Sequence, residues 1–549
     1  MRRRNTAIAL LILFLVLLII CPLLSIFAEA VFQDGHLSLK SAIATITESE
    51  NASMIGSSLL LGVLVVIVSS AIALPLAYLF SRTQLARYHF FDIIFMIPFM
   101  TPPYIASMGW ILFMQKRGLM QQLFPSLAFI SDWFLSIGGL VLVMSFHVFP
   151  FMMTMMKNAM LSVPSSLDEA GRVLGAPFRT RIRKLFMPLI TGNYAIGALL
   201  VFVKTISEYG TPSTLGRRIG FDVFTTDIHR YATVAPIEFG KSASLASVLI
   251  GICLLIWMLQ NYITMKKTYS LVGGKSGALR CTRMSRPALA AAIIFIAAVV
   301  FFSMVIPLFS VIASSLIKLR GYGLRAGNYT LDNYIKVFTE DSQGIGALSV
   351  SIFLAVSSAT IAAILGTIIV TASRSAGKRT GKLIEGISLL PEMLPSIVLV
   401  LGIMLFYNGI YKIVPIYGSI WIMVLSYVIL FLPYTVQYVT SSYSQISPSL
   451  IAAGRVFGGK PVYVFTHITL PLISRGIISG WMMTFIIAFR ELVTPSLIAP
   501  TNTLTVSTYI NRQFEQGSVG KGMSMAVICI LFSTVSLLIL NKVILKERK

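Results

Sequence analysis

Six side chains carry ionisable groups within or beside long apolar runs: His147, Lys204, Glu208, Glu392, Arg490 and Glu491. Such groups are costly in hydrocarbon, so they mark pathways, relays or internal pairs. Lys204 precedes Glu208 by about one helical turn, and Arg490 adjoins Glu491. Two readings of these four stay open: ion pairs steadying an outer gate, or groups lining a path at its outer mouth. Glu392 lies between Pro391 and Pro395, where freed backbone groups need protein neighbours or a cavity, and it is a further candidate for lining the path. His147 reads as a packing residue. No catalytic constellation emerges. Cys21, Cys253, Cys281 and Cys529 are too far apart for a disulfide framework or zinc site, and the five histidines are dispersed. The metal assignment is therefore unknown. A candidate phosphate loop, Gly274-Lys275-Ser276, has Tyr269 where the motif needs glycine.

The elements that must position these groups are membrane helices. The chain of 549 residues is 56% hydrophobic and 12% charged, against about 25% charged in an average soluble domain. Mean hydropathy is +0.85. That composition excludes a large soluble enzyme. Runs of roughly 18–25 apolar residues, enough to cross a bilayer as helix, predict twelve spans. The first six are 7–27, 57–81, 89–114, 138–156, 190–207 and 243–265; the second six are 288–314, 347–372, 384–407, 416–440, 473–489 and 523–545. With Arg2, Arg3 and Arg4 inside, inner segments hold 28 Lys and Arg and outer loops 14, as the positive-inside rule requires. The net charge of +24 is thus accounted for by orientation, with no nucleic-acid partner. The basic N-terminus and its apolar run imitate a signal peptide, but no small-x-small cleavage site clearly ends the run, so an uncleaved first helix is expected.

An internal repeat organises the chain. Ser166–Ala176 (SLDEAGRVLGA) matches Ser449–Gly459 (SLIAAGRVFGG) at seven of eleven positions, at an offset of 283. The same offset aligns Pro150 with Pro433, Pro188-Leu189-Ile190 with Pro471-Leu472-Ile473, and Glu208-x-x-Thr211-Pro212-Ser213 with Glu491-x-x-Thr494-Pro495-Ser496. An offset of 293 aligns Pro98 and Pro102 with Pro391 and Pro395, and Gly109 with Gly402. A collinear series of this kind marks duplication. The expectation is an all-α polytopic membrane protein of two homologous, parallel six-helix halves: 1–265, a basic cytoplasmic linker at 266–287, and 288–549. Each half begins and ends inside, which relates the halves by an axis along the membrane normal.

Between spans 4 and 5 of each half lies a loop, 157–189 and 440–472. The first carries Glu169-Ala170-Gly171, Gly175 and Pro188; the second carries Ala452-Ala453-Gly454, Gly458 and Pro471. Each reads as a short helix, a forced break and a re-entry. Ser166 and Glu169 have the spacing of a capping box, and Gly175 and Gly458 stand where a helix ends on a left-handed residue.

This pattern resembles the EAA loop of binding-protein-dependent ABC importer permeases, whose fold is the type I importer permease fold. The resemblance implies that the short helices are coupling helices, docking on two copies of a cytoplasmic ABC ATPase, and that an extracytoplasmic solute-binding protein delivers the substrate. It further implies a permease that is no enzyme and binds no cofactor, with ATP and Mg used by the partner subunit. The expected location is the bacterial inner membrane, multi-pass, with both termini cytoplasmic. Ala452 departs from the motif where the first copy has Glu169, so unequal roles are expected of the two loops. A single chain with two fused halves is similar to the ferric-iron permeases, and also to those for thiamine and 2-aminoethylphosphonate. Ferric iron is the preferred expectation; another small phosphorylated or organic solute is the alternative within this class. Outside it, an ion-coupled secondary transporter would need several carboxylates deep in the spans and no EAA-type loop.

Overall fold

The computed structural model describes residues 2–33, 36–37, 39–88, 90–266, 283–339 and 342–545. Most of the expected linker at 266–287, with Cys281, lies outside them. Nine helical elements of the first half recur in the second. In chain order the first set is α1 (Asn5–Val31), α2 (Ser49–Arg82), α3 (Phe90–Met100), α4 (Pro103–Met114), α5 (Ile137–Ser162), α6 (Ser165–Val173), α7 (Arg179–Ile206), α8 (Phe224–Thr233) and α9 (Phe239–Lys266). The second is α10 (Arg286–Leu316), α11 (Ser342–Ser375), α12 (Lys378–Leu389), α13 (Ser396–Gly409), α14 (Ile420–Ser444), α15 (Pro448–Val456), α16 (Pro461–Phe489), α17 (Val506–Glu515) and α18 (Val519–Leu545). A short antiparallel pair, Phe32–Gln33 with His36–Leu37, follows α1.

Among the described residues, ten helices are long and apolar enough to cross a membrane, or twelve if each of two bent pairs is one span. Those pairs are the expected third and ninth spans. The first bends by 79° between Pro98 and Pro103, and the second by 109° between Met393 and Ser396. The cause is the shared Pro-x-x-x-Pro spacing. In a helix the Pro98 carbonyl would accept from residue 102, but Pro102 has no N–H. The orphaned carbonyl lies 3.2 Å from His147 Nδ1 on α5, so His147 satisfies the break, as its packing role anticipates.

The fifth and eleventh spans are longer than hydropathy indicates. α7 and α16 start at Arg179 and Pro461, inside the expected loops, and run 28 and 29 residues. Each contains a five-residue π-helical turn, Ile182–Phe186 and Phe465–Thr469, just before Pro188 or Pro471. Met187 N–H bonds Ile182 O and Leu470 N–H bonds Phe465 O. A wider turn ahead of the ring absorbs the missing proline donor without ending the helix.

Packing divides the chain into two compact units that cross the repeat boundary. One comprises 48–227 and 251–329; the other comprises 1–47, 228–250 and 330–549. The first helix of each half therefore packs with the body of the other half. Repeated glycines make the crossings possible. A Cβ on Gly109 of α4 would sit 2.5 Å from the Pro307 carbonyl oxygen of α10. In the other unit, a Cβ on Gly402 of α13 would sit 2.5 Å from the Pro22 carbonyl oxygen of α1. Ser25 Oγ also donates to Gly402 O at 3.1 Å. Backbone-to-backbone approach at small residues is how membrane helices pack closely.

Candidate functional site

The two short helices α6 and α15 have the same ends. At the N-terminus Ser447 precedes α15 and Pro448 takes its first position, where a missing N–H costs nothing. α6 starts at Ser165, so Ser166 lies inside the helix, at the repeat position of Ser449. Ser166 is thus not at the N-cap position that the capping-box spacing needs, because the helix starts at Ser165, two residues before the start at Leu167 that the spacing predicts. At the C-terminus Gly175 has φ +75° and Gly458 φ +82°. Ala176 N–H bonds Gly171 O at 2.9 Å, and Gly459 N–H bonds Gly454 O at 3.0 Å. These are the six-to-one bonds of a Schellman ending.

The left-handed ending presents two apolar residues in each loop. Val173 and Leu174 are 87% and 84% exposed; Val456 and Phe457, their repeat equivalents, are 83% and 90% exposed. Sequence reasoning missed these four, although an apolar pair directly before a helix-ending glycine was the available signal. A duplicated apolar tip on a short helix is suited to insertion into a partner's pocket.

The loops differ in how they are braced. In the first, Arg181 Nε donates to Asp168 Oδ1 at 2.8 Å and Arg181 Nη1 donates to Ala176 O at 3.1 Å. The pair is largely buried, so it ties α6 firmly to the start of α7. The repeat has Ile451 and Val464 at these positions. There a Cβ on Gly454 would sit 2.6 Å from Ile468 Cδ1, whereas on Gly171 it would sit 3.1 Å from Arg181 Cδ. The expected inequality of the loops therefore rests on an ion pair against an apolar contact, in addition to Glu169 against Ala452. Ala170 and Ala453 complete the small-residue motif on α6 and α15. A further brace went unforeseen: Arg82, buried at the end of α2, donates through Nη2 to the carbonyls of Met160 and Val163. Its guanidinium lies 5.2 Å from the centre of the Phe186 ring. One side chain thus holds the end of α5 and the π-turn of α7.

At the far end of α7 the carboxylates act as backbone caps. Glu208 accepts the Thr211 N–H at both oxygens, 3.1 and 2.9 Å. Glu491 Oε1 accepts from Val493 N–H at 2.9 Å and Thr494 N–H at 3.3 Å. Each is held from behind: Thr225 Oγ1 donates to Glu208 O at 2.8 Å, and Ser507 Oγ donates to Glu491 O. Ser58 Oγ accepts the N–H of Phe224 at 2.9 Å, as Ser351 Oγ accepts that of Val506 at 2.8 Å. The duplicated Glu-x-x-Thr-Pro-Ser segment is thus a capped helix break. Lys204 Nζ lies 4.8 Å from the centre of the Phe151 ring, and Arg490 is the residue on which α16 ends. Glu392 stands in the 3₁₀ turn at the second bend and accepts from Gln437 Nε2. Among the described residues, no group of three or more His, Cys, Asp and Glu is placed to hold a metal ion.

The family model for the binding-protein-dependent transport system inner membrane component matches twice, over residues 70–268 and 362–548. The ferric transport system permease protein FbpB of Actinobacillus pleuropneumoniae is 22% identical over 536 residues, covering 95% of this chain and 75% of its own length. The Fe(3+)-transport system permease protein FbpB 2 of Haemophilus influenzae is 22% identical over 529 residues, 96% of this chain and 97% of its own. A putative 2-aminoethylphosphonate transport system permease protein of Salmonella typhi is 23% identical over 246 residues, 45% of this chain and 90% of its own. With two copies of the family domain, each carrying the paired glycines and the exposed apolar tip, this chain belongs to the inner-membrane permeases of binding-protein-dependent ABC importers, in their fused two-half form.

Proposed function

We propose that this permease imports ferric iron, delivered by an extracytoplasmic solute-binding protein, and that α6 and α15 each dock on one of two copies of a cytoplasmic ATPase. In this reading ATP and Mg are used by the partner subunit. The observation that carries the docking claim is the repeated apolar tip, Val173-Leu174 and Val456-Phe457, held out by a left-handed glycine. The bias of basic residues toward one set of loops supports cytoplasmic termini and loops. The similarity to two ferric permeases, over 95% and 96% of this chain, supports the cargo. Glu208, Glu392 and Glu491, with Lys204 and Arg490, are assigned to the path or its gate because they sit at the two kinds of helix break. Co-expression with the cognate ATPase, followed by cysteine crosslinking from positions 174 and 457, tests the docking. Uptake of radiolabelled iron with the cognate binding protein, against 2-aminoethylphosphonate as competitor, tests the cargo. Crosslinks at neither position would remove the docking half of the reading, and iron uptake that is absent, or abolished by the phosphonate, would remove the cargo half.

A further inference from the structure

A second concentration of charge lies at the other end of α5 from the coupling loop. The segment after α4 and the segment after α10, both within one compact unit, enclose a cleft of about 820 Å³. Four cations line it, Lys116, Arg117, Arg320 and Arg325, and no carboxylate appears among the described lining residues. Tyr322 and glutamine side chains add uncharged hydrogen-bonding groups.

The cleft has a constructed frame. Gln122 joins its two walls: its Oε1 accepts the Leu324 N–H at 3.1 Å, and its Nε2 donates to Arg117 O at 3.2 Å. Arg117 N–H in turn donates to Gln121 Oε1 at 2.8 Å. The opposite wall is closed by Asn328, which exchanges bonds with Leu319 and donates to Gly323 O. Topology makes the charge unexpected: these loops belong to the set that the basic-residue bias leaves depleted, yet they place four cations around one space.

We propose that this cleft binds a small oxyanion carrying two or more charges, phosphate or polycarboxylate in chemistry, either free in solution or as the headgroup of an anionic lipid. Guanidinia suit this role because their planar donors engage such oxygens in pairs. The proposal is independent of the ferric reading and of the docking of α6 and α15.

The test uses the full chain in discs of zwitterionic phosphatidylcholine, titrated calorimetrically with citrate and with inorganic phosphate at two salt concentrations. Saturable binding that weakens with salt is expected. The R320Q/R325Q double variant should lose about tenfold or more in affinity, since hydrogen bonds to charged groups are individually worth that order. Arg117→Gly gives a second reading with no folding hazard, because φ at Arg117 is +59°, where glycine is at ease; it should bind more weakly and melt no lower. Lys412→Gln, outside the cleft, should bind normally. Discs containing phosphatidylglycerol distinguish the source: competition identifies a lipid headgroup, and unchanged binding identifies a free anion. Absence of saturable binding in the zwitterionic discs, or undiminished affinity in both cleft variants, overturns the proposal.

Discussion

The ending of α15 offers a perturbation whose cost is unusually clean. A Cβ added at Gly458 meets nothing within 4 Å, so Gly458→Ala introduces no clash and its whole effect is backbone strain at φ +82°. An L-residue in that region costs about 1–2 kcal/mol. The chain can escape the strain by fraying the last turn, which gives up the Gly459-to-Gly454 bond and swings Val456 and Phe457 away. Docking must then restore that turn, so the ATPase should bind about 5- to 30-fold more weakly. Gly458→Asn is the control, since asparagine visits this region at small cost and should remain within about threefold of the parent. The assay is biolayer interferometry of the purified ATPase against permease in discs, with the melting temperature of each variant recorded alongside. Equal affinities for the alanine variant and the parent would refute the reasoning, as would an asparagine variant as weak as alanine.

Other expectations follow from the braces and caps. Asp168→Ile alone should destabilise the first loop, because Arg181 loses its partner in a largely buried place; adding Arg181→Val, the combination found in the second half, should recover most of the loss, read as a double-mutant cycle in melting temperature. Arg82→Met removes the guanidinium from the Met160 and Val163 carbonyls, of which Met160 O keeps the Val163 N–H at 3.2 Å, and should cost about 1–3 kcal/mol, seen in thermal stability and in a lower ratio of transport to ATP hydrolysis. Glu208→Gln and Glu491→Gln keep an acceptor for the backbone N–H groups, so assembly should persist; Glu→Ala at either site removes the cap, at about 1 kcal/mol, and should reduce transport further. Comparing uptake with complex yield separates cap from charge: transport equally lost in Gln and Ala variants would show that the charge, not the cap, matters.

The duplication was legible because few insertions disturb its offset, and the left-handed glycines were legible because their place after Arg-Val-Leu or Arg-Val-Phe leaves no other use for them. The lengths of α7 and α16 were not, since a hydropathy window stops at Arg179–Lys184 although a helix there remains possible. The backbone caps of the carboxylates were legible but passed over: the local spacing Glu-x-x-Thr already contains the cap that forms at Glu208, while attention goes first to Lys204 one turn earlier. Arg82 carried no signal at all, because its acceptors are main-chain carbonyls about eighty residues away. Nor does any local pattern record which body a first helix will join; only the matched Gly109 and Gly402 hint at a crossing.

These contacts connect the two ends of each half without an intervening loop. α7 spans 28 residues, about 40 Å at helical rise, from the Arg181 brace to the residues just before Glu208. α16 repeats the arrangement toward Glu491. In the proposed importer, a displacement of a docked tip enters such a rod through its π-turn, the place where the hydrogen-bond ladder is already loosened by Pro188 or Pro471. It leaves the rod at a capped break, where the carboxylate bonds the backbone of the next segment. A cap of that kind fixes the direction of the Thr-Pro-Ser turn, so motion of the rod re-aims the turn instead of being lost in side-chain play. The first rod is gripped by directional bonds, from Arg82 and the Asp168–Arg181 pair, and the second by apolar contact at Gly454. Directional bonds resist sliding more than apolar surfaces do. In this reading the two halves, equal in sequence plan, transmit the same input with different stiffness.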